Sequence, residues 1–436
     1  MDTATIAGAV ARLDCWLDTM RGADGYGGPV AHWWQNCLLF TGAGFDWRYE
    51  GIILGYLSLF QKTGDRRWLT KAQRAGDDLV CGQLPNGNYR NSSFELNPYP
   101  GGTPHEAACD LALLRLATVL REAGEPDWRT YLAAAEGNLR QYYVGRLWDV
   151  EACIFWDQPR TTSFVPNKAA TLVEALLALA EVTGDEAWLE AYALPTLDTL
   201  VSHQVQCGPL DGAISQYSLR GQRVEKYFPY YIARCVPGLV AGYEAAGDES
   251  YLDAARRALA FILRWRYEDG SLPQVVYAGG QLNRYPQWIA AVGDILRAMA
   301  LLEPHGVDID PGPTGEWLLR GQEVTGSFRT AWGFGAQISQ RDPGPLPEFR
   351  DLLPVVGWSD KAFRYLAEAL SGGQAGDWPT GQGVQPLEAE CTWQGKVLAY
   401  REDTAAIELR RNGQVLYRWR KGAPWAEVCA PEMWWK

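Results

Sequence analysis

The stretch Thr63-Gly64-Asp65-Arg66-Arg67-Trp68 decides the fold, because close variants of it return at regular intervals. The other copies begin at Ala123, Thr183 and Ala246, so the repeat has a spacing of 60 to 63 residues. Glycine supplies the left-handed residue that ends a helix, and an acidic residue caps the start of the next one. Each copy therefore predicts the turn of a helical hairpin, with its terminal aromatic residue packed back on the helices.

The segments on either side of these turns have the composition of paired helices. Those before a turn are dense in small and apolar residues and read as inner helices, whereas those after it carry a polar stripe and read as outer helices. The predicted inner helices are residues 50–62, 105–122, 167–182, 230–245, 287–303 and 360–370. Outer helices include 251–265 and 314–320, and a helix over 3–20 closes the ring. Six such pairs predict an all-α fold, an (α/α)6 toroid around one cavity.

A second repeat follows several outer helices. Residues 83–89 and 322–328 both read Q-x-x-x-G-x-aromatic, and related glycine turns occur at Gly212 and Gly270. This pattern resembles the turn repeat of squalene–hopene-type terpenoid cyclases. The rhythm of helix, turn and aspartate-glycine also resembles the six-hairpin glycosidases and the sugar epimerases that share the toroid. The resemblance covers about residues 1–370 and implies architecture only, because one fold hosts unrelated chemistries.

The pattern changes near Pro386. Residues 396–401 and 405–411 alternate with period two, and Asn412-Gly413 is a strong signal for a hairpin turn. We therefore predict a small antiparallel β-sheet that caps the toroid at its C-terminus. This divides the chain into a toroid catalytic domain, residues 1–385, and a cap, residues 386–436.

The composition limits the partners. With 436 residues, 47% of them hydrophobic, the chain can bury a large core, and its net charge of −12 argues against nucleic acid as a partner. No apolar run approaches the roughly 18 residues of a membrane span. The N-terminus has no basic and apolar leader, and nine scattered cysteines lack a C-x-x-C pair, so a cytoplasmic location is expected. The four histidines have no metal-site spacing, so we expect neither a metal nor a cofactor. The oligomeric state stays open.

Polar and aromatic residues crowd where the predicted inner helices begin, and in a toroid these entries line one mouth of the cavity. Aromatic rings, carboxylates, amides and cations together suit a small molecule or oligosaccharide, since rings stack on the faces of a sugar and polar groups bind its hydroxyls. The expected substrate-binding residues are Trp47, Arg48, Tyr89, Asn91, His105, Asn167, Lys168, Tyr230, Arg234, Arg284, Gln287 and Trp288. Glu95, Asn97 and Tyr99 belong to the same entries.

Four carboxylates at the first two entries are the candidate catalytic residues: Asp46, Glu50, Glu106 and Asp110. Glycoside hydrolysis needs two such groups, one to protonate the leaving oxygen and one to activate water or attack carbon. Asp110 is the leading candidate because it lies on the same helix face as Glu106, one turn inside an apolar helix. The alternative for each is structural, since acidic residues at helix starts also cap amides and complement the helix dipole.

The leading hypothesis is a carbohydrate-active enzyme, a glycoside hydrolase acting on a glycan or sugar acid. A uronate lyase or epimerase is a close variant, because Arg48, Lys168 and Arg234 could bind a carboxylate while tyrosines transfer protons. Residues 163–167 are similar to a short stretch of glucuronyl C5-epimerases. A class II terpenoid cyclase is an alternative, but this sequence lacks the acidic D-x-D-D motif of that family. A non-catalytic glycan-binding protein would have the same aromatic mouth without a pair of carboxylates across it.

Overall fold

A computed structural model describes residues 2–32, 36–37, 39–92, 101–336, 344–371, 383–393 and 395–429. Thirteen α-helices in these residues form two concentric rings. The inner ring contains α2 (Trp47–Thr63), α4 (Glu106–Glu122), α6 (Pro166–Thr183), α8 (Pro229–Ala233) with α9 (Val236–Ala246), α11 (Val292–Leu302) and α13 (Val356–Ala369). The outer ring contains α1 (Thr3–Thr19), α3 (Arg66–Gly82), α5 (Trp128–Asn138), α7 (Leu194–Ser202), α10 (Glu249–Arg264) and α12 (Gly312–Arg320).

The inner ring is closed. Each inner helix contacts the next around the ring, and α13 contacts α2. Two outer helices have π-helical extensions: Leu139–Leu147 continues α5, and Leu189–Ala193 precedes α7. Short 3-10 helices lie at Ala278–Gly280, Glu303–His305 and Phe349–Leu352. The prediction of an (α/α)6 toroid is confirmed. Within the described part of the chain, no helix is both long enough and apolar enough to cross a bilayer.

The hairpin turns have the geometry that the first repeat predicts. Gly64 ends α2 in the left-handed region at φ 67°, and Asp65 caps α3 by accepting a hydrogen bond from the Arg67 amide at 2.9 Å. A side chain at position 64 would meet no atom within 4 Å, so the glycine is needed for its backbone conformation alone. Trp68 is buried between the helices, as expected.

Three inner helices begin or continue differently from their predictions. The predicted helix 230–245 is interrupted between α8 and α9 next to Pro237, which lacks the amide hydrogen that a continuous helix needs. The predicted helix 287–303 begins only at Val292, because Gln287–Trp288 pair with Ala331–Trp332 as extended strands. The sixth inner helix begins at Val356, ahead of the predicted residue 360.

A C-terminal sheet of five antiparallel strands follows the rings. Its strands, in sequential order, are Leu387–Trp393, Lys396–Glu402, Ala406–Arg411, Gln414–Arg420 and Glu427–Val428. The predicted hairpin is present, since Asn412 and Gly413 have φ values of 50° and 80°. The sheet is anchored to α1, where the Trp16 indole and the Lys421 ammonium both donate to Glu402 at 2.7 Å. The division into two domains at residue 385 stays a prediction.

Short two- and three-residue ladders join the loops that surround the rings. Their strands are Arg21–Gly22, Gly25–Tyr26, Val30–Ala31, Asn36–Cys37, Trp148–Asp149, Ile154–Phe155, Ser163–Phe164, Ser218–Leu219, Gln222–Arg223, Lys226–Tyr227, Val275–Tyr277, Leu282–Asn283, Gln287–Trp288 and Ala331–Trp332. Three of them, Ser163–Phe164, Lys226–Tyr227 and Gln287–Trp288, lie just before inner helices. They hold the entry loops of those helices in place.

The second repeat connects neighbouring outer helices. The amide of Gln83 donates to the carbonyl of Gly87 in its own turn at 3.0 Å and to Ala134 of the next outer helix at 2.7 Å. Gln322 does the same with Gly326 at 3.1 Å and with Ala9 of α1 at 2.8 Å. The last copy therefore ties α12 to α1 and closes the outer ring.

Replacing Gly326 by alanine should destabilise the protein far more than replacing Gly64. Gly326 has φ 94°, and a Cβ there would lie 2.1 Å from the Arg12 carbonyl oxygen, whereas position 64 is open. We expect Gly326→Ala to lower the free energy of unfolding by about 3 kcal/mol or more, from left-handed strain and overpacking combined. Gly64→Ala should cost about 1–2 kcal/mol, from strain alone. Urea unfolding measures both free energies. Equal losses would contradict a close contact between the Gly326 turn and α1 where the outer ring closes.

Candidate functional site

A cavity of about 210 Å³, the mouth cavity, lies at the N-terminal ends of the inner helices. Every inner-ring position contributes to its wall, and two loops complete it. Six residues predicted to bind substrate line it: Trp47, His105, Asn167, Lys168, Tyr230 and Arg234. The other lining residues are His32, Val165, Gln216, Tyr217, Tyr231, Asp294, Gly357, Trp358 and Lys361. Concave sites with aromatic walls and a few converging polar groups are typical of small-molecule binding.

Glu106 and Asp110 do not line the mouth cavity, because both point toward the outer ring. Glu106 accepts hydrogen bonds from the side-chain amides of Asn88 at 2.9 Å and Asn138 at 2.6 Å, and from the backbone amide of Gly102 at 2.6 Å. Asp110 accepts one from the Tyr89 hydroxyl at 2.9 Å. Burial raises the pKa of Asp110 well above its usual range. The contacts of Glu106 hold the loop that leads into α4, which is the structural alternative that the sequence left open.

Asp46 and Arg48 form a buried pair at the start of α2. Asp46 caps the helix and contacts the Arg48 guanidinium at 2.9 Å, and that guanidinium also donates to the Tyr26 carbonyl at 3.1 Å. Neither residue lines the mouth cavity. The pair therefore fixes the entry of α2 and, with it, the position of Trp47.

Glu50 is buried inside the inner ring, where it contacts arginines from two other parts of the ring. It receives both terminal nitrogens of Arg234, at 3.1 and 2.7 Å, and a third hydrogen bond from Arg364. Burial alone would raise the pKa of Glu50, but the two guanidinium groups lower it to about 2. Glu50 is therefore ionised at neutral pH and holds Arg234, which lines the cavity, in a fixed orientation.

The remaining predicted binding residues lie outside the mouth cavity. Asn91 lines a separate cavity of about 130 Å³ between glycine-rich loops. Arg284 stacks on the Tyr267 ring at 4.4 Å, and Gln287 donates to the Ser271 hydroxyl at 2.7 Å. Trp288 packs against the rings of Tyr230, at 5.2 Å, and Trp358, at 4.5 Å, so it supports the cavity wall from behind. Glu95, Asn97 and Tyr99 lie outside the described residues.

Three cationic side chains and one carboxylate line the mouth cavity. Lys168 contacts Asp157 at 3.0 Å, and Lys361 contacts Asp360 at 2.8 Å. Asp294 lies 3.6 Å from Arg234. Since Asp157, Asp360 and Glu50 are absent from the lining, they hold the three cations from behind and leave a cationic wall. In a protein with net charge −12, such a wall favours an anionic ligand at this place.

His105 is neutral and has a defined tautomer. The Trp47 indole donates a hydrogen bond to His105 Nδ1. An indole nitrogen can only donate, so Nδ1 must be the unprotonated nitrogen. Burial, and then the charges of Lys168 and Lys361, lower the pKa of His105 well below its usual value. At neutral pH the single hydrogen of the ring is therefore on Nε2, and His105 acts as a hydrogen-bond donor.

His32 is a second neutral imidazole in the same wall. Burial, and then Arg350, lower the pKa of His32 well below its usual value. Its ring lies 5.7 Å from Trp288 and 5.6 Å from Trp358. A neutral imidazole carries one nitrogen lone pair that can accept a proton. In the residues that the structure describes, no group of three or more histidine, cysteine or acidic side chains has the arrangement of a metal site.

The sequence missed several lining residues for identifiable reasons. Trp358 and Lys361 lie at the entry of the sixth inner helix. The sequence pattern predicts that this helix begins at residue 360, so it does not mark the residues before 360 as a helix entry. Tyr231 follows Tyr230 and belongs to an entry already considered, whereas His32 and Tyr217 come from loops with no repeat to mark them.

Comparison with known proteins supports the architecture. No protein-family model matches the chain, and no curated protein matches its sequence. An unsaturated glucuronyl hydrolase specific for heparin is 14% identical, with a TM-score of 0.60 over 84% of this chain and 96% of that chain. A cellobiose 2-epimerase from Bacillus thermoamylovorans is 11% identical, with a TM-score of 0.61 over 84% and 99%. An α-1,6-mannanase from Salegentibacter is 16% identical, with a TM-score of 0.53 over 85% and 99%. At these identities the likeness shows the fold, and the resemblance to six-hairpin toroid enzymes is confirmed.

Proposed function

We propose that this chain is a carbohydrate-active enzyme that binds an acidic sugar, a uronate, in the mouth cavity and moves a proton at the carbon next to its carboxylate. The convergence of Lys168, Arg234 and Lys361 on one aromatic-walled cavity carries the proposal. Lys168 lies on α6, Arg234 directly follows α8, and Lys361 lies on α13, so the fold brings these three cations together from distant parts of the sequence. Aromatic rings for the sugar faces and cations for a carboxylate are the two groups that a uronate requires.

The solved structures of the same fold are consistent with a sugar as the substrate. Their names describe a glucuronyl hydrolase, an epimerase of cellobiose and a mannanase, which act on three different carbohydrates. The cationic wall is the feature of this chain that favours an acidic sugar among them. It also gives less support to a terpenoid cyclase, because cationic side chains in a cavity wall do not stabilise carbocation intermediates.

The reaction follows from the neutral imidazoles and the cations. Neutralising the carboxylate of a uronate acidifies the C–H bond beside it, and we assign removal of that proton to His32, whose lowered pKa rises when the negatively charged substrate binds beside it. The electron pair moves into the carboxyl group, where Lys168, Lys361 and the His105 Nε2–H stabilise the enediolate. A proton delivered to the opposite face by a tyrosine hydroxyl of the wall, which we assign to Tyr217, gives an epimer, and solvent exchange then returns a proton to the tyrosine as His32 releases its own. Expelling the oxygen substituent on the adjacent carbon instead, with the proton from the same hydroxyl, gives an unsaturated sugar and an alcohol and completes a lyase reaction.

Hydrolysis by a pair of carboxylates has less support. Only Asp294 among the acidic side chains of the described residues lines the mouth cavity, and hydrolysis requires two carboxyl groups. A catalytic role for Asp46, Glu50, Glu106 and Asp110 stays a prediction.

Incubation with uronic acid disaccharides in D₂O tests the proposal. We expect deuterium at the carbon next to the carboxylate, or a new ultraviolet-absorbing double bond, and neither with the matching neutral disaccharides. Release of reducing sugar from the neutral disaccharides, without deuterium uptake from the uronides, would contradict the proposal and favour a hydrolase. Binding of uronides without any turnover would also contradict it and favour a non-catalytic glycan-binding protein.

Replacing Asp110 by asparagine separates the two mechanisms. The asparagine carbonyl can still accept the hydrogen bond from Tyr89, and the side chain points away from the mouth cavity. Turnover of the uronide should stay within about threefold of the wild type, whereas loss of a general acid or base costs about 10²–10⁴-fold. Steady-state kinetics on the folded variant measure this. A loss in that larger range would return Asp110 to the catalytic machinery.

A further inference from the structure

A second cavity, the lower cavity, opens at the other end of the ring axis. Its volume is about 470 Å³, and the C-terminal halves of the six inner helices line it. Glu50 separates the two cavities, since it binds Arg234 of the mouth cavity and Arg364 of the lower one. The lower cavity is therefore a distinct site, and its ligand does not depend on the proposed function.

Carboxylates outnumber cations in the wall of the lower cavity. Three arginines line it, and each is already paired: Arg115 with Glu181 at 2.7 Å, and Arg297 and Arg364 with Glu368 at 2.7 and 2.8 Å. Three further glutamates line it, Glu122, Glu174 and Glu244, and none is paired with lysine or arginine in the described residues. The C-terminal ends of the inner helices add partial negative charge to this opening. The surplus of carboxylates over arginines in this wall therefore favours a cation as the ligand.

Two buried polar atoms in this wall lack a hydrogen-bond partner among the described residues, Arg297 Nη1 and Glu174 Oε1. Arg297 keeps an ion pair with Glu368 through its Nε atom, whereas Glu174, which is 8% exposed, has no ion pair with lysine or arginine in these residues. A buried acceptor without a partner carries a desolvation cost that a donor inside the cavity would relieve. Burial, opposed by the charge of Arg364, raises the pKa of Glu174. A cation bound beside this carboxyl would lower that pKa, so binding should strengthen as the pH rises.

The walls around Glu174 select an organic cation over a metal ion. No group of three or more potential metal ligands is close enough to hold a metal within the described residues. The cavity has instead a large aliphatic surface, to which Leu54, Leu57 and Val240 contribute. An alkyl ammonium group offers three N–H donors at one end and apolar methylenes along its length.

We propose that the lower cavity binds an aliphatic amine of the diamine or polyamine type, with an ammonium group on Glu174 and its methylenes against Leu54, Leu57 and Val240. Glu244, whose side chain is 65% exposed, stands at the rim where a second ammonium would lie. The amine would enter from the face opposite to the substrate.

Isothermal titration calorimetry with spermidine and hexylammonium, at physiological salt, tests this proposal on the full chain, with hexanol as the uncharged probe. We expect both amines to bind and hexanol to bind at least about tenfold more weakly, the value of one lost charge-assisted hydrogen bond. Glu174→Gln should weaken spermidine binding by about tenfold or more. Glu181→Gln is the matched control, because Glu181 lines the same cavity but is exposed and already paired with Arg115, and it should change affinity less than twofold.

Glu244→Gln is the second variant, and it keeps the test decisive if Glu174→Gln does not fold. Because the Glu244 side chain is exposed, we expect this variant to fold. We expect it to weaken the binding of spermidine more than that of hexylammonium, which has only one charge. Equal affinities of the wild type, Glu174→Gln and Glu181→Gln would show general attraction to an acidic surface and overturn the proposal. Absence of amine binding by the wild type would overturn it as well.

Discussion

Glu50→Gln is expected to lower the free energy of unfolding by about 3 kcal/mol, the low end of the cost of breaking a buried ion pair, because Arg234 keeps Asp294 at 3.6 Å and Arg364 keeps Glu368 at 2.8 Å. Arg234 and Arg364 both bind this carboxylate inside the ring. The Glu50 side chain is 1% exposed, so water does not replace the lost contacts. The loss should be far larger than that from Glu181→Gln, which removes an exposed pair worth about 0–1 kcal/mol. Urea unfolding of the two variants and the wild type measures the difference.

Glu50 also makes the free energy of unfolding depend on pH in the acid range. Because the folded protein holds the pKa of Glu50 at about 2, below its ordinary value near 4.5, its contribution to stability is complete above about pH 4.5. The contribution is lost as the pH falls from there toward 2. Glu50→Gln should remove this part of the acid dependence. An unchanged stability in Glu50→Gln, or an unchanged acid dependence, would contradict the conclusion that ionised Glu50 stabilises the ring through Arg234 and Arg364.

Trp47→Phe is expected to lower kcat on a uronide by about 10²-fold with little change in KM. Without the Trp47 indole, the His105 ring is no longer held in the tautomer that carries its hydrogen on Nε2. Phenylalanine keeps an aromatic ring against the sugar but cannot donate to Nδ1. Nitrogen-15 NMR of His105 gives the readout that packing alone would not change: a mixture of tautomers and a higher pKa, since a hydrogen bond to the neutral ring has been removed.

Trp358→Phe is the matched control for that variant. Trp358 also lines the mouth cavity, and its indole donates to the Ala31 carbonyl at 3.3 Å and not to a histidine. Because Trp358 packs against His32, whereas His105 packs against Trp47, we expect the His105 signals to stay at their wild-type positions whatever the change in kcat. Similar losses of kcat in both variants, with an unchanged His105 spectrum, would show that Trp47 acts only as a sugar platform.

The fold was predictable because its decisive signals are local. A glycine such as Gly64 and the aspartate after it mark a turn within six residues, and four copies at nearly equal spacing define the hairpins. The predicted helix boundaries were less accurate where the backbone pairs with distant segments of the chain. Gln287 is extended because it pairs with Trp332, a partner that no local pattern indicates.

The sequence predicted a cavity at the entries of the inner helices, but it could not predict how those helices are rotated about their own axes. The helix that carries Glu106 and Asp110 is apolar nearly all round, so its sequence has no polar stripe to fix its rotation about its own axis. Their spacing correctly put both on one face, and the structure turns that face outward. Glu50 likewise has its partners 184 and 314 residues away, at Arg234 and Arg364, beyond the reach of any sequence motif.

The most direct test of the central claim, that the mouth cavity takes an acidic sugar, compares two ligands that differ only at one carbon. Calorimetric titration at physiological salt with methyl glucuronide and methyl glucoside replaces a carboxylate by a hydroxymethyl group. We predict that the glucuronide binds at least about tenfold more tightly, and that Lys361→Met removes most of this preference. Equal affinities for the two sugars, or a preference that Lys361→Met leaves intact, would contradict the account.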